Sequence, residues 1–410
     1  MSVWGLYSFC WGLVLFFILS GLYLYPSISG IVVSLFMFDQ LSLFLGLLVF
    51  FLGACAIVFN TSEISYETGG YLLLSMGFSV LCFSANHAIL FWCFYELSML
   101  PLLYLIFRDS PYSERFLAGW YFSGYLLLTS LPLLLVLIYL SFLNSSYLIS
   151  IWYHHYLSSW IYCVLAFIFF TKVPLCPFHT WLPIVHAEAT SIVSTFLSGY
   201  IMKLGLVGVF RFCAYSLNNS FLYYLMLCCI LGICFLVAAS GELDGKRWLA
   251  LLSLSHIIVP FMGLFICGWG TDSLIFLFSL GHGLGAGLVF GLLWQYYGVT
   301  NTRNWVLLKS GVGSTISLGI MSFSLLSLCS FPPTIQFFSE VYLVSASSHV
   351  SSLLVFWVCY LFLGGVIPLL LCGHTLLRVE SYEADASVLF NFSVYLMLYI
   401  IWCYLIIIVF

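Results

Sequence analysis

Long apolar stretches follow one another along the whole chain, and few of them contain a charged side chain. Two examples run from Val3 to Tyr25 and from Trp248 to Gly268. Hydrophobic residues make up 64% of the sequence and charged residues only 6%, whereas a water-soluble domain needs charge at roughly a quarter of its positions. The chain therefore cannot be a water-soluble globular protein, and its exterior must face lipid.

The length of the apolar stretches decides the kind of spanning element. Transmembrane strands give short alternating segments, whereas a helix needs about 20 apolar residues to cross a bilayer and satisfies its own backbone hydrogen bonds there. The sequence therefore predicts an all-α polytopic membrane protein with about 13 or 14 transmembrane helices. The apolar segments lie near residues 3–25, 39–59, 69–86, 88–107, 116–140, 157–173, 190–215, 221–240, 248–269, 272–297, 311–328, 334–349, 351–376 and 387–409.

No polar linker or low-complexity tract divides the chain, so residues 1–410 are predicted to form a single membrane domain. Most charged residues collect in four connections between apolar segments, which we interpret as solvated loops. These residues are Glu63, Glu67, Arg108, Asp109, Glu114, Arg115, Glu242, Asp244, Lys246, Arg247, Arg378, Glu380, Glu383 and Asp385. The basic residues among them are too few to fix the orientation in the membrane.

Several ionisable side chains lie inside the apolar segments instead of between them. An ionised side chain at the centre of a bilayer costs on the order of 2.5–3.5 kcal/mol on insertion scales. Any one of them could be a buried polar group satisfied by a local hydrogen bond, but several in one apolar chain indicate an ion or proton path. They are Glu96, Lys172, Lys203, His256, His282 and Glu340.

These residue types are suited to moving protons. Apolar surroundings favour the neutral form of both Glu and Lys, while an approaching opposite charge restores ionisation. A carboxylate near a lysine is therefore a switchable pair, and histidine can relay protons because its unperturbed pKa lies near neutrality. The sequence contains no haem-attachment CxxCH, no iron–sulfur cysteine spacing, no paired CxxC metal spacing and no GxGxxG motif.

Two apolar segments are interrupted by proline. Pro174, Pro177 and Pro183 precede the seventh segment, and Pro332-Pro333 precedes the twelfth. Transporters place such breaks where the backbone faces a polar cavity, although a kinked helix packed on its neighbours is an alternative. We expect both breaks to lie beside the buried charges.

Four stretches of the chain carry a family resemblance. KVPLCPFHTWLPIVHAEATSIVSTFLSGYIMKLGLVGVFR resembles the hallmark KxPxxxxHxWLPxAHxEAPxxxSxxLAxxxLKxGxYGxxR of the proton-translocating subunits of respiratory complex I and their antiporter relatives. DGKRWLALLSLSH, LGHGLGAGLVF and PPTIQFFSE resemble three further motifs of that family. Among its branches, ELSMLP, PPTxxFxSE and the intermediate length fit the subunit 4 branch better than the longer subunit 5 or the shorter subunit 2.

The resemblance implies two inverted five-helix repeats with broken helices, at about residues 85–215 and 221–349, followed by C-terminal helices at 351–410. By motif position, Glu96 and Lys172 match the family's paired carboxylate and lysine. Lys203 matches the central lysine, and Glu340 the terminal acidic residue. Secondary relay candidates are His179, His186, Glu188, His256 and His282. Departures from the hallmark are Val185, Thr190, Gln336 and Ser339.

The resemblance also implies a function. The chain would be a core membrane-arm subunit of complex I in the mitochondrial inner membrane, moving protons while other subunits pass electrons from NADH to ubiquinone. No cofactor or metal would bind this chain, because NADH, FMN, the iron–sulfur clusters and ubiquinone would belong to other subunits. Partners would be other membrane-arm subunits, especially subunits 2 and 5, and lipids including cardiolipin, with no nucleic acid.

Two alternatives remain open from the sequence. A cation/proton antiporter subunit would share the hallmark by common ancestry, but would normally be longer and have more charged loops. An inert membrane scaffold would have apolar or scattered residues where this chain has Glu96, Lys172, Lys203 and Glu340.

Overall fold

The computed structural model describes residues 31–59, 64–152, 159–213, 219–266, 272–308, 315–377, 396–397 and 400–404. Most of these residues are helical, which confirms the all-α prediction. The first predicted segment, 3–25, lies outside the described residues, and so does most of the last, 387–409. The predicted C-terminal loop charges Arg378, Glu380, Glu383 and Asp385 also lie outside them.

Each predicted apolar segment from 39–59 to 351–376 corresponds to helix to within a few residues at each end, and two short helices, Trp181–Glu188 and Trp305–Leu308, lie between predicted segments. We label the helices α1 Gln40–Phe59, α2 Tyr66–Ser84, α3 Ala88–Asp109, α4 Arg115–Leu143, α5 Ser159–Lys172, α6 Trp181–Glu188, α7 Ser191–Phe196, α8 Met202–Phe212, α9 Asn219–Ser240, α10 Gly245–His256, α11 Ile258–Ile266, α12 Asp272–Thr300, α13 Trp305–Leu308, α14 Thr315–Leu328, α15 Ile335–Ser347 and α16 Ser351–Leu377. Short 3₁₀ turns occupy Ile149–Ile151 and Phe178–Thr180.

A small antiparallel hairpin precedes α1 and was not predicted from the sequence. Its strands are β1 Ile31–Val33 and β2 Phe36–Phe38, which pair in register Ile31 with Phe38. Asp39 then starts α1, since its carboxylate accepts the backbone N–H of Ser42 at 3.0 Å.

Within the described residues, seven helical segments are long and apolar enough to cross a membrane. They are Ala88–Asp109, Arg115–Leu143, Ser191–Phe212, Phe221–Ser240, Gly245–Ile266, Leu274–Thr300 and Ser351–Leu376. Three shorter apolar helices accompany them, at Gln40–Gly53, Trp160–Lys172 and Ile316–Leu328. The chain is therefore a multi-span α-helical membrane protein.

The spans divide into inner and outer helices. Ser191–Phe212, Gly245–Ile266 and Leu274–Thr300 are largely buried, whereas only a minority of the residues in α4 and α9 are buried. The exposed side chains of the outer helices are large and apolar, including Trp120, Leu128, Phe142, Tyr223 and Phe362. Such surfaces suit hydrocarbon or a neighbouring protein, so ionisable groups that must avoid lipid belong on the inner helices.

Both proline-rich sites interrupt the helices as predicted. Helix α5 ends at Lys172, and residues 173–180 contain no α-helix before α6 begins. Pro332-Pro333 lies between α14 and α15, and the Thr334 hydroxyl caps α15 by accepting the backbone N–H of Phe337 at 3.4 Å. Each break therefore places a helix end next to a predicted charge, Lys172 in one case and Glu340 in the other.

Two further irregularities lie in the inner helices and were not predicted. A π-helical turn, Leu197–Ile201, joins α7 to α8. A single residue, Ile257, separates the end of α10 at His256 from the start of α11. Pro260 follows in the first turn of α11, where a missing N–H is tolerated. Both irregularities adjoin ionisable residues, Lys203 and His256.

Candidate functional site

Glu96 and Lys172 form a buried ion pair. Glu96 lies in the middle of α3 and Lys172 is the last residue of α5, where the helix dipole favours a positive charge. The Lys172 ammonium donates to Glu96 Oε1 at 2.8 Å, and the side chains are 4% and 12% exposed. The structure therefore brings together the two residues that the sequence predicted to interact.

Lys203 is fully buried and has neutral partners. Its ammonium donates to the Ser198 carbonyl at 2.6 Å, and Ser198 belongs to the π-helical turn. The same nitrogen lies 3.0 Å from Nδ1 of His282, which α12 carries. The π turn thus supplies a carbonyl and α12 an imidazole to one lysine.

A second imidazole extends this contact. The ring centroids of His282 and His256 are 5.5 Å apart. His256 Nδ1 lies 2.5 Å from the hydroxyl of Tyr360 and 3.2 Å from Nε2 of Gln336. His256 therefore connects the lysine side of the site to residues of α15 and α16.

Glu340 is the last member of this buried group of polar side chains. Its Oε1 accepts hydrogen bonds from Ser330 at 2.9 Å, Gln336 at 3.1 Å and Tyr360 at 3.3 Å. The carboxyl group is buried, and Ser330 belongs to the segment that precedes Pro332-Pro333. We call Lys203, His282, His256, Gln336, Tyr360 and Glu340 the polar row.

The polar row and the Glu96–Lys172 pair are separate. No hydrogen bond between described side chains joins Lys172 to Lys203. A cavity of about 10 Å³ lies beside Lys172, and its walls include Tyr125, Thr171 and Ile201 of the π turn. A cavity needs about 10–15 Å³ to hold one water, so a single water could lie between the pair and the π turn.

The three remaining candidates lie away from the polar row. His186 is fully buried against Phe290, and neither ring nitrogen has a hydrogen-bond partner among the described residues. His179 is only partly buried and its ring centroid is 4.9 Å from that of Phe235.

Glu188 belongs to a different group of charges. Its Oε1 lies 3.8 Å from Nη1 of Arg303, and Nε of the same arginine lies 3.4 Å from Oδ2 of Asp244. Lys246 donates to the Ala189 carbonyl at 2.7 Å in the same group. Asp244 and Lys246 were predicted to be loop charges, yet Lys246 is 3% exposed, because this connection folds against the end of α6.

Sequence reasoning missed three members of the site. Ser330, Gln336 and Tyr360 all bond Glu340, but only Gln336 had been noted, as a departure from the hallmark. Serine and tyrosine are unexceptional in membrane helices, so neither residue type marked these positions. Ser330 and Glu340 lie on either side of Pro332-Pro333, and Gln336 lies one helical turn before Glu340; these spacings were the available signal.

The region that contains the site matches a known family. The sequence model of the family described as "NADH:quinone oxidoreductase/Mrp antiporter, TM" matches residues 85–367. This range includes Glu96, Lys172 and the whole polar row. The chain belongs to this family.

Several relatives in this family carry the same name. The chain is 27% identical over 325 residues to NADH-ubiquinone oxidoreductase chain 4 of Rhipicephalus sanguineus, covering 76% of this chain and 73% of that protein. It is 31% identical over 319 residues to chain 4 of Branchiostoma lanceolatum, covering 71% of this chain and 66% of that protein. It is 32% identical over 271 residues to chain 4 of Arbacia lixula, covering 61% of this chain and 56% of that protein. The matched part thus spans between about half and three quarters of these relatives.

Solved structures from the same family share the fold. A chain of respiratory complex I from Thermus thermophilus with bound NADH has a TM-score of 0.77 at 22% identity, with 94% of this chain and 88% of that chain covered. A chain of the Mrp complex from Dietzia sp. DQ12-45-1b has a TM-score of 0.75 at 17% identity, with 91% and 75% covered. The helical arrangement is therefore that of this family's membrane subunits.

Proposed function

We propose that this chain translocates protons as a membrane-arm subunit of respiratory complex I, coupled to electron transfer from NADH to ubiquinone. The observation that carries the proposal is the polar row, a chain of buried ionisable and hydrogen-bonding groups from Lys203 to Glu340. Groups of this kind are costly inside a membrane and mark ion or proton paths. The relatives reported above, which are named NADH-ubiquinone oxidoreductase chain 4, support the assignment.

The geometry suggests how the charges work. Lys172 is held by Glu96, whereas the hydrogen-bond partners of Lys203 among the described residues are the Ser198 carbonyl and His282, with no carboxylate. A proton on Lys203 can pass to His282, since their nitrogens are 3.0 Å apart. No hydrogen bond between described side chains joins His282 to His256, whose ring centroid is 5.5 Å away, so we propose that a water carries the proton from one ring to the other on its way towards Glu340. The charge on Lys172, 2.8 Å from Glu96, biases that step electrostatically, because opposite charges favour and like charges oppose ionisation.

The same proposal covers location, cofactors and partners. The chain would lie in the mitochondrial inner membrane, bind no NADH, flavin or metal itself, and contact other membrane-arm subunits, especially subunits 2 and 5, and cardiolipin. The broad apolar faces of α4, α9 and α16 support contacts of this kind. We also propose that residues 85–215 and 221–349 form the two inverted repeats, since each contains one of the proline-marked breaks beside a buried charge.

The decisive experiment replaces Glu96 by Gln in the assembled complex. Glu96→Gln keeps the size of the side chain but removes the countercharge of Lys172. Proton pumping into liposomes should fall at least several-fold, and quinone-linked NADH oxidation should slow with it. Electron transfer from NADH to an artificial acceptor that bypasses quinone should continue, because the redox chemistry lies on other subunits.

A matched control keeps this experiment interpretable. Glu114→Gln neutralises an exposed carboxylate at the start of α4 that forms no capping hydrogen bond, so pumping should stay unchanged. Assembly of both variants is checked first on a native gel. If assembled Glu96→Gln complex pumped at the unmodified rate, Glu96 would be merely structural and the proposal would be wrong.

The likeness to the Mrp complex favours a second candidate, a cation/proton antiporter subunit. A blue-native gel with in-gel NADH oxidation separates the two functions. The complex I proposal requires the chain to migrate with a large NADH-oxidising assembly. Migration outside such an assembly, together with sodium-dependent transport, would favour the antiporter.

A further inference from the structure

The ammonium of Lys172 has a second partner besides Glu96. Its Nζ lies 4.1 Å from the centroid of the Tyr95 ring, well within the roughly 6 Å range of cation–π attraction. Tyr95 and Glu96 are consecutive in α3, so the ammonium lies against that helix between a ring face and a carboxylate. Cation–π attraction is strongest when both partners are desolvated, and here both are buried.

The hydrogen-bond donors of Lys172 are consistent with this arrangement. An ammonium has three N–H groups, and among the described residues only Glu96 Oε1 accepts one of them. The ring face of Tyr95 lies on another side, and the cavity lined by Tyr125 and Thr171 adjoins the same side chain. Lys203 differs, because its ammonium has two hydrogen-bond partners, a carbonyl and an imidazole nitrogen, and no aromatic ring face over it in the described structure.

The Tyr95 ring is fixed in place, but its hydroxyl is not used. The ring stacks on Phe91 with centroids 5.6 Å apart and meets Phe169 edge-on at 5.9 Å. The buried Tyr95 hydroxyl has no hydrogen-bond partner among the described residues. The ring face, and not the hydroxyl, is therefore the part of Tyr95 that acts on Lys172.

We propose that Tyr95 is a positioning residue whose ring face stabilises the protonated form of Lys172 while Glu96 is neutral. This inference rests on the proton-translocating function proposed above and deepens its first step. The attraction of Glu96 for the ammonium disappears when the carboxylate takes a proton, whereas the ring's attraction does not depend on that proton. Tyr95 thus makes Lys172 more able to keep its proton when its partner carboxylate is neutralised.

Three substitutions test this role. Tyr95→Phe keeps the ring and removes the unused hydroxyl, while Tyr95→Leu removes the ring. Phe212→Leu is the matched packing control, since Phe212 on α8 is also buried and stacks on the same Phe169 with ring centroids 6.0 Å apart, but its ring is not over the ammonium. Each variant is assembled into the complex, and pumping and quinone-linked NADH oxidation are measured between about pH 6 and 10.

The alkaline side of the pH profile is the deciding readout. The titratable groups near Lys172 among the described residues are Glu96 and Tyr95 on α3, Cys82 on α2 and Tyr125 on α4. Without the ring the protonated lysine is less stable, so the pH above which pumping falls should move down by about one unit in Tyr95→Leu. It should stay in place in Tyr95→Phe and in Phe212→Leu, although Phe212→Leu lowers thermal stability by a similar amount.

The outcomes distinguish this inference from the proposed function. If Tyr95→Leu and Phe212→Leu give the same profile while Glu96→Gln abolishes pumping, Tyr95 is only packing and the inference is overturned. If Tyr95→Phe shifts the profile as Tyr95→Leu does, the hydroxyl matters and the cation–π account is wrong. If neither Glu96→Gln nor Tyr95→Leu changes pumping in assembled complex, the proposed function itself fails.

Discussion

The hydroxyl of Tyr360 joins two buried groups that sequence reasoning treated separately. It lies 2.5 Å from His256 Nδ1 and donates to Glu340 Oε1 at 3.3 Å. Tyr360→Phe keeps the ring that packs on Phe356 and Trp357 but removes these bonds. We expect pumping to fall several-fold and stability to fall by about 1–3 kcal/mol, because a buried partner loses its hydrogen bond.

Tyr296→Phe is the matched control for this prediction. Tyr296 is as buried as Tyr360, and its hydroxyl donates to the Ser317 carbonyl at 3.2 Å, outside the polar row. Thermal unfolding should show a comparable loss of stability in both variants. Proton uptake by proteoliposomes should fall only in Tyr360→Phe, and equal pumping in the two variants would exclude Tyr360 from the path.

The ionisable members of the site could be found from sequence because they stand out against their surroundings. Glu96, Lys172 and Lys203 interrupt apolar runs, and their cost in hydrocarbon gives each a physical reason to be noticed. Tyr95 and Tyr360 carry no such mark, because an aromatic residue in an apolar segment is more often packing than function. Their contacts depend on which helices meet, and the spacing along one helix does not contain that information.

At the scale of elements, helix ends were predictable and irregularities inside helices were not. Charges and prolines mark the ends, so the predicted segments and the observed helices agree to within a few residues. The π turn at Leu197–Ile201 has no proline, and it is the close approach of α12 that distinguishes this place. An alanine Cβ at Gly283 would lie 3.1 Å from the Gly199 carbonyl oxygen, which shows how near the two backbones are.

Gly283→Ala tests whether this approach holds the polar row together. The added methyl would also lie 2.7 Å from Leu48 Cδ1. The Gly199 carbonyl belongs to the backbone, so it cannot rotate away from the methyl as a side chain would. We expect α12 to move away from the π turn and His282 from Lys203. Stability should fall by about 1–3 kcal/mol, and quinone-linked NADH oxidation should slow.

Gly298→Ala controls for the change of residue type on the same helix. An alanine Cβ at 298 would meet nothing within 4 Å. Helical alanine is favoured over glycine by roughly 0.5–1 kcal/mol, so this variant should be as stable as the parent or slightly more stable. Equal melting temperatures and activities for the two variants would show that the close approach at Gly283 has no role.

At the scale of the whole molecule, ion pairs fasten segments that are far apart in the sequence. Arg211 at the end of α8 holds Asp39 at the start of α1 through two hydrogen bonds, at 2.5 and 3.0 Å. Arg211 also donates to the Phe83 carbonyl of α2 at 3.3 Å. Composition predicted that lipid surrounds the chain, but it could not predict this junction, since one Asp and one Arg 172 residues apart carry no pairing signal.

The last prediction compares this junction with an exposed ion pair. Asp39→Asn keeps the shape of the side chain and removes its charge, leaving the 5%-exposed Arg211 without a countercharge. We expect a loss of about 1–3 kcal/mol, below the 3–5 kcal/mol of a fully buried pair because Asp39 is partly exposed. Glu67→Gln breaks the pair between Glu67 and Arg108, which are 64% and 45% exposed, and should leave stability unchanged. Melting temperatures of the assembled complex, taken at low and high salt, provide the measurement. The Asp39→Asn loss should persist at high salt, because buried pairs are poorly screened. If Asp39→Asn and Glu67→Gln melted alike, the junction between α1 and α8 would depend on packing alone.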